Sequence, residues 1–296
     1  MLEKEYSVLM PMRNEVDNIE VTLECMVLQT LKPHRLYVLD DGSTDGSSEI
    51  VERFAGKYSW VEHIRLEDRG FDHVGQGVAE MLNFGVDNLI AKDLVGFVAK
   101  VDADLEFSED YFQTLVSEMS GNEKLAVCCG HPYAYEGGKK LLERHGDNFP
   151  SGTARLYRYN ALKEIGFFVN SVGWDTVDLL KFQLRGYEVR TIHELDFHHR
   201  RRMGTRNGYI DGMVRDGRNA YLTGYVPFVF FCRAVFNIRY KPYILRTICM
   251  LWGYFSTYLK RPARVVSDEE YDFHKKVQWR KLSPKNILSS LAGSSK

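Results

Sequence analysis

A chain of 296 residues with 44% hydrophobic and 27% charged side chains has the composition of an ordinary globular protein, not of a disordered or fibrous one. It is long enough for one large α/β domain with a good core, or for a domain with an appendage. The net charge of −1 conceals an asymmetry: residues 1–199 carry 20 Lys and Arg against 34 Asp and Glu, and residues 200–296 carry 19 against 6. A basic, aromatic-rich carboxyl third either faces an anionic membrane surface or a phosphate-bearing partner, or neutralises the acidic domain on which it packs. The 5 cysteines, Cys25, Cys128, Cys129, Cys232 and Cys249, show no Cys-x-x-Cys spacing and no metal-type His/Cys cluster. They read as buried thiols of a reducing compartment.

The amino terminus enters a strand almost at once, which leaves no room for a signal peptide and predicts a cytoplasmic protein, or one on the cytoplasmic face of a membrane. Strand-like runs at Tyr6–Met10, Arg35–Leu39, Val61–Leu66 and Leu94–Val101 alternate with helical patterns at Asp17–Gln29, Ser47–Lys57 and Gly75–Asn88. That alternation with short connections predicts a parallel sheet with right-handed crossovers. Leu23, Met26 and Val27 keep the spacing of a buried helix face, so they are core positions.

Ser108 is expected to cap a helix reaching Met119, with Glu109 and Asp110 in its first turn. A strand at Leu125–Gly130 follows, then a stretch from Tyr133 to Pro150 that reads as a loop or short helices. Asn160–Ile165 and Asp175–Arg185 read as helices, and residues 186–190 turn into a short strand. The apolar runs Tyr225–Phe236 and Tyr243–Leu259 are too short and too interrupted by Arg233 and Arg246 for a bilayer crossing. They suit interfacial helices, or buried helices that close over the sheet. The expected division is a first domain at 1–206, a helical extension at 207–282 that meets a membrane or forms a homodimer, and a disordered tail at 283–296.

Four segments carry the chemistry. Pro11-Met12-Arg13-Asn14-Glu15 closes the first strand, Asp40-Asp41-Gly42-Ser43 closes the second, and Gly77–Gly85 lies on the helix that leads into the fourth. The fourth strand runs into Asp102-Ala103-Asp104, two hard oxygen donors one residue apart. A doubly wound sheet collects such segments along its carboxyl edge, where ligands bind. Paired carboxylates there suit Mg2+ or Mn2+ that shares its shell with substrate phosphates.

In this order the segments resemble glycosyltransferase family 2, over roughly residues 5–206. The resemblance implies a GT-A fold: α/β, with a Rossmann-like, doubly wound, mainly parallel sheet, here followed by a helical, basic extension. It implies nucleotide-binding roles for Pro11, Arg13, Glu15, Asp41, Asp102, Ala103 and Arg201, with Asp41 accepting the imide N–H of uracil. Asp40 is expected to brace the turn. Metal ligation is implied for Asp102, Asp104 and one of His198 and His199, with Mn2+ or Mg2+ as cofactor. The family's basic residue on the third segment is Val78 here, so that phosphate contact must come from elsewhere. Gly152–Arg158 and Ile165–Phe168 resemble the acceptor-side strand and helix. Gly173-Trp174-Asp175 resembles the segment of the catalytic base, with Trp174 where the family has Glu and the base retained as Asp175. The arginines at 200–202 have the fork geometry to clamp a diphosphate.

The implied reaction is an inverting, metal-dependent transfer from a nucleotide-sugar donor, a UDP-sugar, to a hydroxyl of a glycan or lipid-linked acceptor such as a cell-surface polysaccharide precursor, with no nucleic-acid partner. Transfer to a polyprenyl or dolichyl phosphate is the near alternative, since that acceptor needs no base. An inactive nucleotide-binding scaffold is the distant one. A dinucleotide-dependent oxidoreductase is disfavoured, because the first strand runs into Pro11-Met12-Arg13-Asn14 and not into Gly-x-Gly-x-x-Gly.

Overall fold

The computed structural model describes residues 2–68, 75–93, 95–136, 138–142, 147–200, 209–239 and 243–281. The chain divides into two compact units, Met1–Arg202 and Met203–Lys296. The strands of the first unit are β1 (Leu2–Met12), β2 (Leu36–Asp40), β3 (Val61–Arg65), β4 (Val95–Val101), β5 (Leu105–Phe107), β6 (Leu125–Glu136), β7 (Lys139–Leu142), β8 (Ala154–Arg158) and β9 (Glu188–His199). They form a nine-stranded sheet in the order β3-β2-β1-β4-β8-β6-β9-β5, with β7 paired to β6. β1 to β4 are mutually parallel, as their helical crossovers require. β8 then runs antiparallel between β4 and β6, and β9 lies parallel to β6.

Alternation along β1 explains why the sheet is covered on both faces. Tyr6, Val8 and Met10 pack on one side with Leu23, Met26, Val51, Phe112 and Leu115. Leu9 packs on the other side with Leu39, Val98, Ala79, Leu82, Leu162 and Phe182. The first face belongs to helices α1 (Ile19–Leu28), α2 (Ser47–Lys57) and α5 (Tyr111–Gly121). The second belongs to α3 (Gln76–Gly85), α6 (Tyr159–Glu164) and α7 (Trp174–Leu184), and the short α4 (Ala91–Asp93) leads into β4.

Four expectations are corrected. Ser108 does not cap α5: its N-cap is Asp110, whose carboxylate instead accepts the Ser108 hydroxyl at 2.6 Å. The stretch after Tyr133 continues β6 and returns as β7, with Tyr133 opposite Leu142. The short strand after Gly186 extends to His199, because β5 and β6 pair with it. Cys25 and Cys232 are only half-buried, whereas Cys128, Cys129 and Cys249 are buried.

The second unit is helical: α8 (Tyr209–Leu222), α9 (Pro227–Phe236), α10 (Ile244–Lys260) and α11 (Asp268–Lys281). α8 and α10 cross backbone to backbone. A Cβ at Gly217 would stand 2.0 Å from the Met250 carbonyl oxygen, and one at Gly253 would stand 2.0 Å from that of Val214. Only glycine permits so close an approach. Phe230 of α9 stacks on Tyr254 of α10 at 4.5 Å, and Gln278 of α11 bonds the backbone at Gly224 and Val226. Among the described residues no helix is long and apolar enough to cross a membrane.

Candidate functional site

Register brings the carboxyl ends of the strands to one edge. Met12 pairs with Asp40, and Asp40 with Arg65. Val101 pairs with Ala154, so the segment entering the antiparallel β8 arrives beside the end of β4, and His199 at the end of β9 pairs with Leu105.

At the β1–β2 end of this edge, Asp40 braces the turn. Its carboxylate accepts the Ser43 amide at 2.8 Å and the Ser48 hydroxyl, and meets His63 at 3.1 Å. Burial pushes this carboxyl's pKa up, but the hydrogen bonds from His63, Ser48 and Ser43 outweigh burial and hold it well below the ordinary carboxylate range. Asp41 is buried next to it, and the Arg13 guanidinium donates to the Asp41 carbonyl and pairs with Asp68 at 2.9 Å. Glu15 is buried and accepts from the Asn18 amide side chain at 3.0 Å, and Pro11 lies within β1 opposite Leu39.

At the β4 end, the acid-bearing turn is pinned from below. The Thr22 hydroxyl on α1 donates to the carbonyls of Ala103 at 3.0 Å and Leu105 at 2.9 Å. The Ala103 methyl is part of the core. Asp104 is buried, and its Oδ2 lies 3.4 Å from Nε2 of His199. His198 points the other way, toward Glu106 at 3.5 Å and stacked on Tyr133. Strand alternation turns the two histidines apart: His199 faces Asp104 and His198 faces Glu106. Among the described residues no three His, Cys, Asp or Glu side chains close a metal cage. Asp104 and His199 do meet, and a carboxylate with an imidazole is a donor pair whose chemistry fits Mn2+ or Mg2+.

Asp102 is tied to the rest of the edge by Lys100. This lysine is buried, and its Nζ donates to Asp102 Oδ1 at 2.5 Å and to the Gly152 carbonyl at 2.7 Å, 5.7 Å from the Trp174 ring. Burial raises the pKa of the Asp102 carboxyl, Lys100 opposes that, and Asp104 adds to it. Gly152 in turn abuts Asp175 at the start of α7: a Cβ there would lie 3.0 Å from Asp175 Oδ2. The structure thus brings Asp102, Asp104, His199 and Asp175 to one end of the edge, through Lys100 and Gly152.

Arg155 holds the same corner from inside. Fully buried, it bonds both oxygens of Asp178 at 3.0 and 2.8 Å and the Tyr157 hydroxyl at 3.1 Å. It also donates to the carbonyls of Pro150 at 2.7 Å, Ser151 at 3.0 Å and Asp175 at 2.8 Å. Burial raises the pKa of the Asp178 carboxyl against the pull of Arg155. Sequence reasoning missed Lys100, Arg155 and Asp178. The visible signals were a lysine inside an otherwise apolar strand and an arginine in an alternating one. Of the three arginines at 200–202, the structure describes one. Arg200 is engaged by Glu106 and by Asn18 at 3.1 Å, while Arg201 and Arg202 lie outside the described residues.

Residues 7–172 match the sequence profile described as Glycosyl transferase family 2. The chain belongs to glycosyl transferase family 2. Glycosyltransferase AglE of Haloferax volcanii is 28% identical over 167 residues, covering 55% of this chain and 51% of that protein. Minor teichoic acid biosynthesis protein GgaA of Bacillus subtilis is 23% identical over 168 residues, 55% of this chain and 35% of its own length. The chain thus spans about half or less of these curated relatives. Among solved structures, a mannosyltransferase from Pyrobaculum calidifontis in complex with GDP-Man and Mn2+ superposes with a TM-score of 0.57 at 17% identity, covering 97% of this chain and 83% of that one. TarS 1-349 of S. aureus in complex with UDP-GlcNAc superposes at 0.54 and 16% identity, covering 91% and 80%. These likenesses establish the fold as GT-A, and the family makes this a transferase domain.

Proposed function

We propose that this family 2 domain transfers a sugar from a nucleoside diphosphate donor, a UDP-sugar, to an acceptor hydroxyl with inversion at the anomeric carbon. The observation that carries the reading is the continuity from Asp104 and Asp102 through Lys100 and Gly152 to Asp175. This chain of contacts supports Asp175 as the base that serves a donor bound at the acid pair. Asp41, Glu15, Pro11 and Arg13 form the base and ribose end of the donor site, where a carboxylate takes the imide N–H of uracil and repels the bare N3 of cytosine.

The reaction is one displacement. Asp175 removes the proton of the acceptor hydroxyl, its oxygen attacks the anomeric carbon from the face opposite the diphosphate, and the bond from that carbon to the diphosphate oxygen breaks. General-base assistance of this kind contributes roughly 10²–10⁴-fold. A divalent cation held by Asp104 and His199, with Asp102 alongside, would neutralise the charge that grows on the leaving diphosphate. Lys100 and Arg155 keep the two halves of the site in register. No covalent intermediate is required.

Asp175→Asn tests this reading: transfer to a hydroxyl acceptor should fall by about 10²–10⁴-fold while affinity for the donor nucleotide stays unchanged. Undiminished transfer would refute it. A second reading, transfer to a polyprenyl phosphate, draws support from the basic, apolar helices of the second unit. It is recognised by an Asp175→Asn variant that retains transfer to a phosphate acceptor, an anion that needs no deprotonation. A guanine base also offers a donor edge to Asp41, and binding of UDP against GDP separates the two donors.

A further inference from the structure

From residue 217 to residue 267 the sequence contains no Asp or Glu and eight Lys or Arg. The same stretch forms α9 and α10, and both are apolar on two opposite faces. On α10, Thr247, Met250, Gly253, Tyr254 and Thr257 are buried within the unit. Ile244, Ile248, Trp252, Phe255 and Leu259 project outward, with Trp252 69% and Leu259 79% exposed. At about 100° per residue these five fall within an arc of roughly 80°. On α9, Phe228, Phe231 and Val235 form a similar outward stripe, while Val229, Phe230 and Ala234 are buried.

A helix apolar all round is normally buried all round. Here the inner face builds the unit and the outer face has large aromatic and aliphatic side chains in water, more than a soluble surface ordinarily tolerates in one place. Cations border it. Arg233 on α9, Lys260 at the end of α10, and Arg261 and Arg264 just beyond it are exposed.

We propose that the outward stripes of α9 and α10 dock on the surface of a bilayer containing anionic lipids, lying in the interface without crossing it. Charge selects this occupant. A second copy of the chain would bring two acid-free, cationic faces together, whereas an anionic headgroup layer satisfies the arginines and lysines as the apolar side chains enter the acyl boundary. Exposed Trp, Tyr and Phe among Lys and Arg is the composition that favours this boundary. The consequence is a transferase domain tethered beside membrane-borne acceptors. The tether does not depend on the chemistry assigned to Asp175.

The test is co-sedimentation of the full chain with vesicles of phosphatidylcholine containing phosphatidylglycerol, against vesicles of phosphatidylcholine alone. Binding is expected to the anionic vesicles, to weaken as salt screens the headgroups, and to drop by at least about tenfold in the double variant Trp252→Glu, Leu259→Glu. Circular dichroism and donor-nucleotide binding of that variant should match the parent. Should it fail to fold, quenching of the parent's tryptophan fluorescence by brominated lipid, diminished in Trp252→Phe, reads the same contact. The proposal is overturned by absence of binding to anionic vesicles or by binding that survives the double substitution. It is equally overturned by a dimer in sedimentation velocity that the substitution dissolves, or by binding that appears only when residues 283–296 are removed.

Discussion

Replacing Arg155 with Met should cost this protein more than any single exposed substitution. The guanidinium is fully buried and bonds both oxygens of Asp178, the Tyr157 hydroxyl and the carbonyls of Pro150, Ser151 and Asp175. Its removal leaves Asp178 as a buried carboxylate without its cation, a change that typically costs about 3–5 kcal/mol. The three carbonyls also lose a donor, each worth on the order of 1 kcal/mol and overlapping with the first term. Against a usual stability of about 5–15 kcal/mol, an Arg155→Met chain should be marginal at physiological temperature. The double variant Arg155→Met, Asp178→Leu removes both charges and should recover about 1–3 kcal/mol of the loss. Urea unfolding followed by far-ultraviolet circular dichroism measures the cycle. A single-variant cost below about 1 kcal/mol, or no coupling between the two positions, would refute the view that this pair holds the site's corner. Because Arg155 also tethers the Asp175 carbonyl at 2.8 Å, turnover should fall while the KM for donor changes little.

Three further outcomes are expected. Chelation should abolish transfer and added Mn2+ restore it, and Asp104→Asn should lower turnover by about 10²–10³-fold; full activity in a chelator would rule out the cation. Gly152→Ala places a Cβ 3.0 Å from Asp175 Oδ2 and 3.1 Å from its Cβ. Displacing Asp175, the proposed base, should reduce kcat by about tenfold or more with donor affinity intact, and an unchanged kcat would separate Gly152 from that role. The Asp40 carboxyl, held below its ordinary value by His63, Ser48 and Ser43, contributes stability that is complete above about pH 4 and is lost as the pH falls toward its folded value. Asp40→Asn should therefore be less stable at neutral pH and show a shallower acid limb in thermal unfolding; parallel pH profiles would contradict the assignment.

Some of this was legible in the linear chain because it depends on period and punctuation. The strand and helix alternation, α2 at Ser47–Lys57, and the strand that ends at Asp102 follow from apolar spacing and turn residues, which act over a few positions. The motif order led to the family for the same reason, and the bracing role of Asp40 could be read from an acid before a glycine turn. What the chain could not disclose is which distant groups share a corner. Lys100, Gly152 and Asp175 meet only because β8 enters antiparallel beside β4, and His199, not His198, reaches Asp104 only because pairing with β5 sets the register of β9. Likewise the apolar runs after Tyr225 suited interfacial helices or a packing surface, with buried helices as the competing reading. Helix periodicity gives the positions of a face, but the crossing of α8 and α10 at Gly217 and Gly253 determines which face turns inward and which is left to the solvent.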